Sequence, residues 1–138
     1  MVDIAVKPLV LKDVICTIGT DGYQKHLSGV AFQPSSSTIQ WQGLTPDSGF
    51  TDQTRATWGV TLDFVQDWET KDSLSQFLFE NEGKTLPMVF TPVKGTGKKS
   101  FTSQVTITPG AIGGQVNQFA TTSVTLGSTK PTVSTTGA

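Results

Sequence analysis

"RATWGVTLDFVQ", residues 55–66, carries the clearest period in this chain. Ala56, Trp58, Val60, Leu62 and Phe64 alternate with Arg55, Thr57, Gly59, Thr61 and Asp63. A two-residue period sets every apolar side chain on one side of a strand, giving a dry face and a wet or partner-facing one. The fold class follows from this segment and from how many others share its period.

Working outwards, residues 11–19 form a first expected strand with Val14, Cys16 and Ile18 in phase. "GTDGYQKH" turns the chain, and a second strand, about 27–33, stops at Pro34. "TIQWQG" gives a short third strand in which Ile39 and Trp41 share a phase and are expected in the core. Downstream, "LPMVFTPVK" and "SFTSQVTITPG" are joined by the turn "GTGK". In the second of them Phe101, Val105 and Ile107 share one parity, and Thr102, Gln104, Thr106 and Thr108 the other. A Gly-rich bend follows, then a last strand ending in Val124 and Leu126.

"DWETKDSLSQFLFENEGK", residues 67–84, is the one stretch that reads as a helix. Leu74, Phe77 and Leu78 stand at i, i+3 and i+4 and are the expected core anchors. Ser73 with Gln76 has capping-box spacing, Thr70 and Asp72 being the alternative caps. Gly83 sits where a left-handed residue ends a helix. A helix of about 11 residues is marginal alone, so its apolar stripe must pack on the strands. The sum is a mainly β domain: a β-sandwich or open barrel of about seven strands with one flanking α-helix. Its expected limits are 11–126, with an N-terminal arm at 1–10 and a flexible C-terminal tail at 127–138, which holds too few apolar residues to pack.

Composition bounds the function. The 138 residues amount to one domain, and a net charge of −1 argues against a general nucleic-acid binder, which needs a basic face. Charged residues are only 15%, and 22 Thr with 12 Ser fill the deficit, which leans towards pleated, half-buried surfaces. Cys16, the single cysteine, excludes an intrachain disulfide and reads as a small buried apolar residue. The N-terminus lacks a basic segment followed by a long apolar one, so no secretory signal is expected. No apolar run approaches the ~18 residues that span a bilayer. A reducing cytoplasm is the expected site of synthesis.

Catalytic patterns were sought and none carries weight. Asp67, Glu69 and Asp72 lie before or in the first helical turn, where the dipole favours carboxylates without any substrate. Glu80 and Glu82 sit at the end that disfavours them, with Lys84 placed to offset one. His26, the only histidine, excludes multi-histidine metal sites and reads as a solvated loop residue. "KGTGKKS", residues 94–100, fails the phosphate-loop pattern at Pro92 and Lys99 and reads as a hairpin turn. Three tryptophans raise a sugar-stacking platform, but Trp41 and Trp58 are in phase with core residues, leaving Trp68 alone. No enzyme activity, cofactor or metal is expected.

"LTPDSGFTDQT", between the third strand and the period-two strand, is long for a hairpin connection, and long loops tend to carry function. Here the residues allow a further step. "W-x-G-L-T-P" at 41–46, "TW-x-V-x-L" at 57–62, "DWET" at 67–70, "SLSQFLFENEGK" at 73–84 and "PGAIGG" at 109–114 occur in one ordered series. From about residue 10 to 131 the chain resembles the major tail (tail tube) proteins of long, non-contractile-tailed bacteriophages.

The resemblance implies a sandwich-like barrel flanked by a helix, closed into hexameric rings that stack into a hollow tube for DNA. It implies no catalytic residue. It implies that Thr45, Pro46, Asp47, Ser48, Gly49, Phe50, Thr51 and Asp52 form a loop reaching an adjacent ring. Candidate lumen walls are Thr57, Thr61 and Asp63, or Thr102, Gln104 and Thr106. Expected partners are further copies of the chain, with tape measure, tail terminator and tail tip proteins. DNA passes without specific binding, no membrane is involved, and the location is the virion tail, assembled in the host cytoplasm. The alternative is an immunoglobulin-like or carbohydrate-binding β module of a virion or secreted protein.

Overall fold

A computed structural model describes residues 2–95 and 97–135. The chain is mainly β, 47% strand against 5% helix. The strands are β1 (Ile15–Ile18), β2 (Asp21–Gly22), β3 (Leu27–Ser35), β4 (Thr38–Gln42) and β5 (Gly49–Gln53). After them come β6 (Thr57–Val65), helix α1 (Leu74–Glu80), β7 (Thr85–Thr91), β8 (Lys99–Thr106), β9 (Thr121–Ser128) and β10 (Thr132–Thr135).

Eight strands make one antiparallel sheet in the order β2-β1-β7-β8-β9-β6-β3, with β10 also paired to β8. The crossing point is β9. Over its length it pairs with β6, and at Gly127 and Ser128 it passes to Thr106 and Val105 of β8. Thr129 then donates its N–H to the Gln104 carbonyl, and β10 continues down the same edge of β8 from Thr102 to Lys99. One strand therefore stitches β3-β6 to β1-β7-β8. Val60, Leu62 and Phe64 from one half, and Cys16, Ile18, Met88, Val105 and Ile107 from the other, share a single buried cluster. The sheet must fold over on itself to bring them together, which is the sandwich arrangement.

The segment 55–66 is β6, with Val60, Leu62 and Phe64 buried in period two. Among the described residues ten strands form where about seven were expected. β2, β5 and β10 were not foreseen, because each is short and carries almost no buried residue to write a period. Pro34 does not stop β3 but lies inside it, opposite Trp58. The strand is at the sheet's edge, where a residue without an N–H is tolerated. The C-terminal segment is not wholly a tail: Gly127 and Ser128 complete β9, 132–135 form β10, and 136–138 lie outside the described residues. Residues 2–11 belong to no strand or helix and lie exposed.

Helix α1 has seven residues, shorter than expected. Ser73 is its N-cap, the Ser73 hydroxyl accepting from the Gln76 N–H at 3.5 Å and donating to the Asp67 carbonyl. Its first turn holds no carboxylate, so the dipole account of Asp67, Glu69 and Asp72 does not apply. Instead Asp67 folds the preceding segment, its carboxylate accepting the N–H groups of Glu69 and Thr70, both at 3.0 Å. Those contacts, Thr70 foremost, hold the Asp67 carboxyl below the ordinary carboxylate range. Gly83 is left-handed, φ +87°, but lies in the turn beyond the C-cap, which is Asn81, its N–H donating to the Phe77 carbonyl. Leu74 and Leu78 are fully buried, whereas Phe77 is half-buried and packs its ring 5.2 Å from Tyr23.

Candidate functional site

The two sets of candidate wall residues fall on one face. Register makes this certain. Thr61 stands opposite Thr125, with hydroxyls 3.2 Å apart, and Gly59 opposite Gly127. Gly127 in turn stands opposite Thr106 of β8, and Thr106 opposite Thr85 of β7. Thr57, Thr61, Asp63, Thr102, Gln104 and Thr106 therefore lie on the outer side of one continuous, folded-over sheet, with Ser123 and Thr125 of β9, and Thr57, Gln104 and Thr106 line one groove where β9 crosses. On the other flank the face continues onto Ala31, Gln33 and Ser35 of β3. Of the six candidates, Thr57, Asp63, Gln104 and Thr106 are exposed, and Thr61 and Thr102 half-buried. Asp63 is the one charged group along these runs. The result is a hydroxyl-rich sheet surface with a slightly acidic balance.

Beside this face β3 has no partner strand on its outer side among the described residues, because the sheet order ends there. The outward backbone groups of this nine-residue edge, Pro34 lacking an N–H, are a natural place for another strand to add.

The expected loop at 45–52 is largely a hairpin. Gly49, Phe50, Thr51 and Asp52 belong to β5, which pairs with β4 from Thr38↔Gln53 to Gln42↔Gly49. The connection itself is 43–48. It is held by the Gly43 N–H to the Ser48 carbonyl at 2.8 Å and by the Thr45–Ser48 hydroxyl pair. Gly43 is required there, since a Cβ would lie 2.6 Å from that of Ser48. Among the described residues the hairpin pairs with no other strand, and every residue of both its strands is exposed.

Ile39 and Trp41 are thus not core residues. Their side chains share the hairpin's apolar face with Phe50, and the Trp41 and Phe50 rings lie 5.8 Å apart. Trp41 is 61% and Phe50 68% exposed. Period two was present in "TIQWQG", but it marks a face and does not say what covers it. Other large apolar groups also stand in solvent: Val2, Ile4 and Val6 of the arm, and Ile112, Val116 and Phe119 after β8.

His26 is half-buried, not solvated, with its ring edge-on to Tyr23 at 6.1 Å and Nδ1 buried without a partner. Tyr23, read as part of a turn, is 2% exposed and among the largest buried side chains, its hydroxyl also unpartnered. Lys84 does not offset Glu80 or Glu82 but donates to the Asn81 side chain at 3.1 Å. Among the described residues no group of three or more His, Cys, Asp or Glu converges to hold a metal ion, and no helix is long and apolar enough to cross a membrane. Of residues 94–100, Lys94, Gly95, Gly97 and Lys98 lie between β7 and β8, Lys99 and Ser100 open β8, and Thr96 lies outside the described residues.

No protein-family model matches the chain, and no curated protein matches it.

Proposed function

We propose that the chain is a tail tube subunit, which closes with identical copies into hexameric rings and stacks them into the hollow conduit for DNA. The observation that carries this reading is the hydroxyl-rich face spanning β3, β6, β9, β8 and β7 with Asp63 as its charged group. The strand positions on this wall carry no Lys or Arg, so it stays hydrated and DNA slides along it, while Arg55 and Lys130 stand at its margin in the groove that Thr57, Gln104 and Thr106 line. The free edge of β3 supplies a joint to the next copy, and the hairpin supplies a contact beyond the ring. A head-to-tail contact that closes gives a ring, and a second contact along the axis gives a tube. Tape measure, tail terminator and tail tip proteins are the proposed further partners, and the virion tail the proposed location.

Negative-stain electron microscopy of concentrated protein tests this. Rings or tubes with a central hole are expected. Particles that stay monomeric, even with the other tail proteins supplied, would overturn the reading. The exposure of Trp41 favours one second reading, a carbohydrate-binding module that stacks sugars on that ring. It requires monomers whose tryptophan fluorescence changes on glycan addition, and loss of that response in Trp41→Ala.

A further inference from the structure

The sandwich is closed at one end and open at the other. β6 has Phe64 at one end, beside Trp68 and, from helix α1, Ser75, and Trp58 at the other. On the Phe64 side Tyr23, Leu74, Phe77 and Leu78 close the core. On the Trp58 side the core is not capped. Phe90 lies between Phe32 and Phe101, at 6.2 and 6.4 Å, on the floor of a groove of about 390 Å³. Trp58 and Val133 form its walls and Lys130 its rim, and Leu9 of the arm reaches it while staying largely exposed.

A second, polar groove of about 940 Å³ shares Trp58 and Lys130 with the first and also holds Arg55. No carboxylate lines either groove. The side chains of Arg55 and Lys130 have no hydrogen-bond or ion-pair partner among the described residues. An apolar slot thus adjoins two uncompensated cations.

Three exposed apolar segments of the chain compete to fill it, and charge separates them. The arm, 2–11, carries Asp3 and Lys7 and so no net charge; the segment 111–120 carries no charged residue. The hairpin, 38–53, carries Asp47 and Asp52 and no Lys or Arg. Only the hairpin offers two carboxylates to match two cations, together with large rings to match the slot. It is also the segment that most needs a partner, since an isolated two-stranded hairpin is marginal in water.

We infer that the β4–β5 hairpin of one copy docks into the open end of a second copy. Trp41 and Phe50 enter the slot floored by Phe32, Phe90 and Phe101, and Asp47 and Asp52 face Arg55 and Lys130. The contact is heterologous, donor surface to different acceptor surface, so it propagates from copy to copy. It rests on the self-association proposed above and assigns that association its acceptor.

Two experiments test it. A benzophenone-bearing phenylalanine in place of Phe50, irradiated in assembled protein, should give an intermolecular link mapping to Trp58, Phe101 or 130–133. Links elsewhere, or none in protein that has assembled, would overturn the assignment but leave self-association standing. Protein that never assembles fails earlier and takes both readings with it. In the second experiment the doubly reversed hairpin, Asp47→Lys with Asp52→Lys, and the doubly reversed groove, Arg55→Glu with Lys130→Glu, are studied apart and mixed. All four positions are exposed, so the fold should survive. Each variant alone should need more than about tenfold the wild-type concentration to assemble, given two repulsive rim pairs. An equal mixture should assemble, because each reversed hairpin then meets an oppositely charged groove. Wild-type assembly by either variant alone, or an inert mixture, would refute the pairing.

Discussion

Thr61 and Thr125 hold their hydroxyl oxygens 3.2 Å apart across the β6–β9 ladder. That contact fixes which side of β9 continues the outer face of β6, and β9 hands the same side on to Thr106 of β8. Two separate threonine runs become one wall because a single strand pairs with both.

The wall's neutrality leads to a first prediction. Thr125→Lys with Thr106→Lys places two cations on it at exposed positions, where substitutions change stability by at most about 0.5 kcal/mol. Assembled wild-type protein should not retain a short DNA duplex in co-sedimentation. Assembled variant should retain it at low salt and release it steeply as salt rises, the signature of phosphate contacts. Equal retention by the wild type would show that the face is not an inert wall.

A second prediction concerns the helix. Ser73→Ala removes both the cap to Gln76 and the tie to the Asp67 carbonyl and should cost about 1 to 2 kcal/mol. Leu78→Ala empties a fully buried position and should cost about 2 to 5 kcal/mol. Glu69→Gln, at an exposed residue whose side chain makes no hydrogen bond or ion pair among the described residues, should stay within about 0.5 kcal/mol. Urea unfolding midpoints of the three variants check the order. A Glu69→Gln protein as unstable as Leu78→Ala would mean the acidic segment bears structural load that its geometry does not show.

How far the sequence revealed these features depends on what each element buries. β6, β8 and β9 bury one face, and their alternation is legible in Val60, Leu62 and Phe64 or in Val105 and Ile107. The hairpin was half legible: Ile39 and Trp41 have the right period, yet they face solvent because no element of the same chain lies over them. β10 was illegible, since Val133 is its one large apolar residue and its pairing with Lys99–Thr102 is made by the backbone. Tyr23 was hidden for a different reason. It follows a turn, and its burial comes from Phe77 and the strands packed on it, long-range contacts that no local pattern encodes.

Tyr23 yields the third prediction. Its hydroxyl is buried without a hydrogen-bond partner, a group whose desolvation costs free energy with nothing gained in return. Tyr23→Phe keeps the ring against Phe77 and removes the orphan oxygen. The variant should be as stable as the wild type or more stable by up to about 1 kcal/mol, read from its urea midpoint. A loss of more than about 1 kcal/mol would reveal a partner for that hydroxyl.

The last prediction concerns pH and the single thiol. Cys16 is fully buried beside the β1–β7 ladder, and burial pushes its pKa from 9.0 up to about 12. The nucleophile in thiol chemistry is the thiolate, so folded protein at pH 8 should be inert to a thiol-specific chromogenic reagent and should react fully once unfolded in denaturant. The linkage has a definite sign. An unfolded thiol releases its proton near pH 9.0 while the folded one keeps it to about 12, so the folded state binds the extra proton in between. Stability contributed below pH 9 is therefore lost progressively as pH rises from 9 towards 12. Cys16→Ala removes that contribution along with the thiol, and its stability should decline less steeply over the same interval. Parallel slopes for the two proteins would show that Cys16 is not the group governing the alkaline limb, and rapid labelling of the native protein would show that β1 opens without global unfolding.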